Sequence, residues 1–320
     1  MSIYTVLIIG AGRIGAFFDT PQSETILTHA HAFSAHPGFN LLGFVDANLV
    51  AARQAAEIWG GKAFNSIADT FSLHAVDVVV IAAPDEFHYR LLLELSAFPV
   101  KLVFTEKPLT RSVTEAKEIR DLYQNRGISL ALNYTRRYVP AFANLREEIA
   151  SDLFGRFLSG SGLYGKGTLH NGNHLVDLVR FLLGEITHSQ TVAHTYDYYD
   201  DDPSCSAILT MTGGQLFFMQ AVDCRYYTVF EMDMLFENGR IRVIDAGFSI
   251  ERYEVRESTV FKGYRNLEVI GYVSTELGKA FGHAVEALHA HLLYGTALPC
   301  TGVDGLRAQQ VSSAICNGIL

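Results

Sequence analysis

The chain has 320 residues, 49% hydrophobic and 18% charged, enough to bury a sizeable core and long enough for two domains. Its net charge of −9 argues against nucleic acid or an anionic membrane surface as the main partner. The cysteines, Cys205, Cys224, Cys300 and Cys316, lie far apart with no C-x-x-C pair, which fits reduced thiols in a cytoplasm rather than a disulfide frame or structural zinc.

Tyr4 to Ile9 is a β-branched, apolar run of the kind that forms a strand buried on both faces. It lacks the basic flank of a signal peptide, and no apolar run in the chain approaches the ~20 residues of a membrane span. Gly10, Gly12 and Gly15 follow as G-x-G-x-x-G, directly after the strand, where the pattern reads as a dinucleotide fingerprint. Gly10 makes the turn, Gly12 admits a pyrophosphate to the backbone, and Gly15 lets a helix pack on the strand. The backbone of Gly12, Arg13, Ile14 and Gly15 would then meet the phosphates at a helix N-terminus.

A helix starting at Arg13 breaks at Asp19-Thr20-Pro21-Gln22-Ser23, and Thr28 caps a second piece that ends before Pro37-Gly38. The next strand, Asn40 to Val45, ends at Asp46, where an acid binds the adenosine ribose. Asp46 stands farther from the glycines than the usual offset of about 20 residues, which an insertion over residues 19–28 accounts for. As an acid it repels a 2′-phosphate, so NAD is expected over NADP; an ordinary strand-end turn acid is the other reading.

The remaining first half alternates helix and strand: Leu49–Trp59, Ala63-Phe64, Ser66–Leu73, Val76–Ala82, Phe87–Ala97, Val100–Phe104, Arg111–Arg126 and Ile128–Leu132. This is the pattern of a doubly wound α/β sheet with its ligand at the strands' carboxyl ends. Beyond Asn133 the texture changes. A helix over Arg136–Ser151, a strand and Gly-rich loop, and an amphipathic helix within His170–Leu183 precede period-two segments from Thr187 to Val255. These predict a large antiparallel sheet, and helices over Glu276–Leu293 and Val303–Ile315 close the chain. We therefore expect a Rossmann domain over 1–132 and an α+β domain over 133–320, with the late helices free to pack back on the first. The open sheet is the expected surface for a homodimer or homotetramer.

The fingerprint, VDVVVIAAPDEFH, TEKPL, NYTRRYVPAF and HLVDLVRFLLG occur in one order and spacing, and the chain resembles the Gfo/Idh/MocA oxidoreductases nearly end to end. The resemblance implies a nicotinamide cofactor and a sugar, cyclitol or nucleotide-sugar-like substrate oxidised or reduced at a hydroxyl-bearing carbon. It makes Lys107 the donor to the reacting hydroxyl, an oxyanion-type role, with Glu106 beside the cofactor and Ala83, Pro84 and His88 on the nicotinamide side. His174 aligns with the general acid–base, a task suited to an imidazole, and Asp177 either orients its ring or serves as a dipole-favoured acid at the helix start. Many members carry Asp four residues before that histidine; here the place holds His170, which can shuttle a proton but lacks a fixed negative charge. Arg137, Asn171 and Asn173 are candidate substrate contacts, with a domain-holding role for Arg137 and turn roles for the asparagines as alternatives. His29/His31 and His170/His174 have spacings that suggest metal, but lack a third ligand, so no metal is expected. Two rival functions remain open: a non-catalytic dinucleotide-binding regulator, and a reductase of a non-sugar carbonyl such as a dihydrodiol-type or tetrapyrrole-like substrate.

Overall fold

Six strands, β1 (Tyr4–Ile9), β2 (Phe39–Val45), β3 (Lys62–Phe64), β4 (Val78–Ile81), β5 (Leu102–Thr105) and β6 (Ser129–Leu132), form a wholly parallel sheet in the order β3-β2-β1-β4-β5-β6. Val6, Leu7, Ile8 and all of β4 are fully inaccessible, as apolar runs covered on both faces must be. The strand order reverses between β1 and β4, and such a switch point opens a crevice for a ligand. The coordinates are a computed structural model and describe residues 3–318.

The helices of this half are α1 (His29–Ala35), α2 (Leu49–Trp59), α3 (Ile67–Leu73), α4 (His88–Leu95) and α5 (Val113–Arg126). Thr28, Asn48, Ser66 and Ser112 each accept a first-turn N–H at their N-termini, each cap stabilising by about 1 kcal/mol. The helix that should open at the glycines is a single five-residue π turn, Arg13–Phe17. It closes through the Phe18 amide to the Arg13 carbonyl at 2.9 Å, and the helical path resumes only at His29.

A second set of elements follows: α6 (Pro140–Ala150), β7 (Phe157–Tyr164), a π turn at Gly167–Gly172, α7 (Asn173–Leu183), β8 (Ile186–Thr195), β9 (Ser204–Met211), β10 (Leu216–Ala221), β11 (Phe230–Phe236), β12 (Gly239–Ile244), β13 (Ser249–Glu257) and β14 (Arg265–Ser274). The eight strands run β14-β13-β12-β11-β7-β10-β9-β8, antiparallel except where β7 meets β10. The helix expected from Arg136 is two pieces. A 3-10 turn at Thr135–Tyr138 is followed by extended Val139 (φ −82°, ψ 123°), and α6 starts at Pro140. Proline bars the helical region to the residue before it yet suits the first helical position.

Last come α8 (Ala280–Tyr294) and α9 (Gly302–Asn317). The chain up to Tyr138 forms one compact unit with Gly278–Arg307, and Val139–Leu277 forms the other with the chain from Ala308 onward.

Candidate active site

In the N-terminal unit the glycine turn is fixed by close approach. A Cβ on Gly10, whose φ is +99°, would lie 2.6 Å from backbone atoms of Ala82 and Ala83, and one on Gly15 would lie 2.1 Å from the Gly10 carbonyl. Gly12 is different. A Cβ there would meet nothing within 4 Å, so its backbone faces open space, as pyrophosphate contact requires. Beside it a cleft of about 590 Å³ is lined by Gly10, Gly12, Asp46, Ser66, Ala83 and Pro84, among others. Arg13 is exposed. Asp46 is half-buried; its carboxylate accepts the Ala11 amide at 2.7 Å and the Asn48 amide at 2.7 Å. It thus ties the end of β2 to the phosphate turn while lying in the cleft. The residues fit a dinucleotide.

At the end of β5, Glu106 and Lys107 are both half-buried. One carboxylate oxygen of Glu106 receives His29 Nε2 at 2.8 Å and Asn133 Nδ2 at 2.7 Å. Burial alone would push the Glu106 carboxyl up. The His29 hydrogen bond and charge, the Asn133 amide and the Lys107 charge more than offset it and hold the carboxyl below its ordinary range. Glu106 is therefore ionised and His29 donates. His29 itself is fully buried, edge-on to Phe104 at 5.3 Å and Phe281 at 5.0 Å.

The segment that delivers His29 is built rather than loose. Asp19, 9% exposed, accepts the Leu27 amide at 2.6 Å, the Thr28 hydroxyl at 2.5 Å and His31 Nδ1 at 2.8 Å. The two histidines of HAH thus serve separate carboxylates. His88 is buried, with Nδ1 at 2.7 Å from the Pro108 carbonyl and Nε2 at 3.0 Å from that of Ala83, so it braces the Glu-Lys-Pro turn against the turn after β4. Arg137 is 7% exposed and pairs with Asp304 at 3.0 Å; both residues belong to this unit.

In the second unit the turn before α7 and the first turns of that helix carry the other candidates. His170 and His174 are half-buried, whereas Asn173 is fully buried. Asn171 donates from Nδ2 to the Gly165 carbonyl at 2.9 Å, closing the turn. His170 Nδ1 lies 2.7 Å from Asp202, and its ring stacks on Tyr199 with centroids 4.0 Å apart. Asp177 does not stand at the helix start: α7 begins at Asn173, and no acid occupies its first turn. Asp177 is buried, 3.9 Å from the Arg180 guanidinium, which corrects the helix-dipole reading.

Residues 4–134 match the GFO_IDH_MocA model, described as an oxidoreductase family with an NAD-binding Rossmann fold. The inositol 2-dehydrogenase of Rhizobium meliloti is 23% identical over 98% of this chain and 96% of its own. Residues 4–134 thus form a Rossmann domain of that NAD-binding oxidoreductase family. The scyllo-inositol 2-dehydrogenase (NAD(+)) of Bacillus subtilis is 26% identical over 56% of this chain and 54% of its own. Among solved structures, UDP-N-acetylglucosamine 3-dehydrogenase GnnA from Acidithiobacillus ferrooxidans has the same fold, with a TM-score of 0.81 at 20% identity over 100% of this chain and 98% of its own.

Three residues of these clusters carry little or no local signal in the sequence. His29 reads from sequence only as half of the His29/His31 pair, whose spacing suggests metal but which lacks a third ligand. Asn133 reads from sequence only as the edge of the first domain, although it directly follows β6, level with the end of β5. Asp202 lies in an acidic loop where nothing local distinguishes it from Asp200 or Asp201.

Proposed function

We propose that the protein is an NAD-dependent dehydrogenase that oxidises a secondary hydroxyl of a sugar, cyclitol or nucleotide-linked sugar, or reduces the matching ketone. The observation that carries the reading is the Glu106–Lys107 turn. A carboxylate kept ionised by His29 and Asn133 stands next to the lysine, beside a glycine turn shaped for a dinucleotide. Bound nicotinamide supplies the hydride acceptor. Lys107 donates to the reacting oxygen and stabilises alkoxide character there. By the family resemblance His174 is the general acid–base that takes the proton of the substrate hydroxyl. Asp46 favours NAD through repulsion of a 2′-phosphate. The relatives' names, inositol 2-dehydrogenase and UDP-N-acetylglucosamine 3-dehydrogenase, support a ring hydroxyl as the target.

Apolar side chains exposed along β14, including Leu267, Val269, Ile270 and Tyr272, support a homo-oligomer formed through the large sheet, checked by sedimentation. The cysteines are all free thiols, in keeping with a cytoplasmic location, and among the described residues no helix is long and apolar enough to cross a membrane.

The test is nicotinamide absorbance and fluorescence on purified protein with a panel of sugars, cyclitols and nucleotide sugars. Reduction of NAD by one of them, lost in Lys107→Ala and His174→Ala, is the expected result. Failure to bind either dinucleotide would overturn the reading.

A further inference from the structure

The π turn before α7 is wrapped around a carboxylate. Asp202, 2% exposed, accepts the Leu169 amide at 2.9 Å on Oδ1 and the His170 amide at 3.0 Å on Oδ2, and His170 Nδ1 lies 2.7 Å from the same Oδ2. The backbone has been bent to permit this. Lys166 takes a left-handed conformation (φ +63°), and Gly167 (φ +79°) passes so close that a Cβ would lie 2.0 Å from Asp202 Oδ2. A second buried acid secures the loop: Asp197 accepts the Lys166 amide at 2.8 Å and the Ser204 hydroxyl at 2.9 Å, and Ser204 Oγ in turn accepts the Gly167 amide at 2.8 Å.

These contacts fix the roles of the atoms. Two backbone N–H groups point at the two oxygens of Asp202, so both oxygens are acceptors. An amide at 202 could not replace the carboxylate, because its NH₂ would face one of those N–H groups. His170 Nδ1 is therefore a donor, which leaves Nε2 as the nitrogen with the lone pair in the neutral ring. Tyr199 lies nearly parallel to the ring, at 16°, and so restricts its tilt. The imidazole keeps 29% of its side-chain surface exposed, and a group that exchanges protons with a substrate needs that access.

We propose that His170 and Asp202 form an acid–base dyad, with His170 the proton acceptor of the reaction and Asp202 its positioning residue. The inference rests on the dehydrogenase reading above and moves the base from His174 to His170. In the forward direction the O–H bond of the substrate breaks and its proton bonds to His170 Nε2. The freed electron pair becomes the second C–O bond, and the carbinol C–H pair would leave as hydride to the acceptor that a bound nicotinamide supplies. The positive charge that forms on the ring is offset by Asp202, which accepts the Nδ1 proton throughout without taking it. A chain with imidazole at 170 thereby regains a fixed negative charge, supplied from the loop before β9.

Three measurements test this. In ligand-free protein labelled with ¹⁵N-histidine, with His170 assigned by its absence in His170→Gln, the neutral ring should carry its proton on Nδ1; in Asp202→Asn that preference should be lost. His170→Gln should lower kcat by about 10²- to 10⁴-fold with KM changed by less than about threefold, since only transition-state proton transfer is removed. The double variant Asp202→Asn/His170→Gln should be no slower than His170→Gln alone, as for residues that act as one unit. A proton on Nε2 in the unaltered protein, a wild-type kcat in His170→Gln, or multiplicative losses in the double variant would each overturn the dyad. The two readings fail separately: absence of dinucleotide binding strikes the dehydrogenase assignment, whereas the tautomer is read without any ligand.

Discussion

His29→Phe isolates the contact that joins the 19–28 segment to the Glu106–Lys107 turn. Phenylalanine keeps the edge-on packing against Phe104 and Phe281 but removes the donor 2.8 Å from Glu106. A hydrogen bond to a charged group contributes roughly 1.5–3 kcal/mol. Asn133 remains as a partner and the Glu106 side chain keeps 15% exposure, so a loss of about 2 kcal/mol is expected. For a unit of this size that is a fall in Tm of about 4–8 °C. The pH dependence carries a defined sign. Glu106 is held below its ordinary range in the folded protein, so its contribution is fully present above the unfolded value of about 4.3 and is lost as pH falls through the folded value. The stability gap between wild type and His29→Phe should therefore narrow below about pH 4.3. Urea denaturation across the acid range measures the gap, and a double-mutant cycle with Glu106→Gln should return a coupling of at least about 1 kcal/mol. Strict additivity, or a gap unchanged far below pH 4.3, would refute the reasoning.

The glycine turn separates folding from binding. Gly10→Ala should destabilise severely, seen as loss of soluble, cooperatively melting protein, because its Cβ meets backbone at 2.6 Å. Gly12→Ala should melt like wild type yet bind NADH at least about tenfold more weakly, a difference of 1.4 kcal/mol or more. Asp46→Ala should shift preference toward NADP in paired titrations and also lower Tm, since the carboxylate holds the Ala11 and Asn48 amides. Arg137→Met should cost about 1–3 kcal/mol of stability through its pair with Asp304, with substrate KM unchanged; a raised KM at unaltered Tm would favour a substrate contact instead.

How much of this the sequence discloses depends on whether a residue's partner is local. β1, α2 and the Gly127 stop of α5 follow from runs of apolar residues and their caps, which act within a few positions. β14 escapes because Arg265–Ser274 has no buried side: all but one of its residues are exposed, so the alternation that marks a half-buried strand never develops. The Arg136 helix is split by Pro140, a rule readable in advance. Asp177 is a register error of the same origin, since it is a dipole acid only if the helix starts later than Asn173. Asp202 and His170 are the harder case, because the pair is made by a left-handed turn at Lys166–Gly167 that has no period and that the sequence shows only as part of a Gly-rich loop.

The site residues that were legible and those that were not differ in what fixes them. Lys107 and His174 are recognised through a motif, which records identity and order. His29 and Asn133, which hold Glu106, and Asp202, which holds His170, are recognised through a burial requirement: an ionised or hydrogen-bonding group taken out of water needs its partners close by. Glu106, once buried, calls for donors, and two arrive from separate elements, α1 and the end of β6. The 2%-exposed carboxylate of Asp202 likewise calls for donors, and the bent turn supplies two amides and an imidazole. A histidine standing where a carboxylate is expected therefore need not remove negative charge from the site. It relocates the charge one shell outward, provided the backbone can be bent to bring a second acid behind the ring.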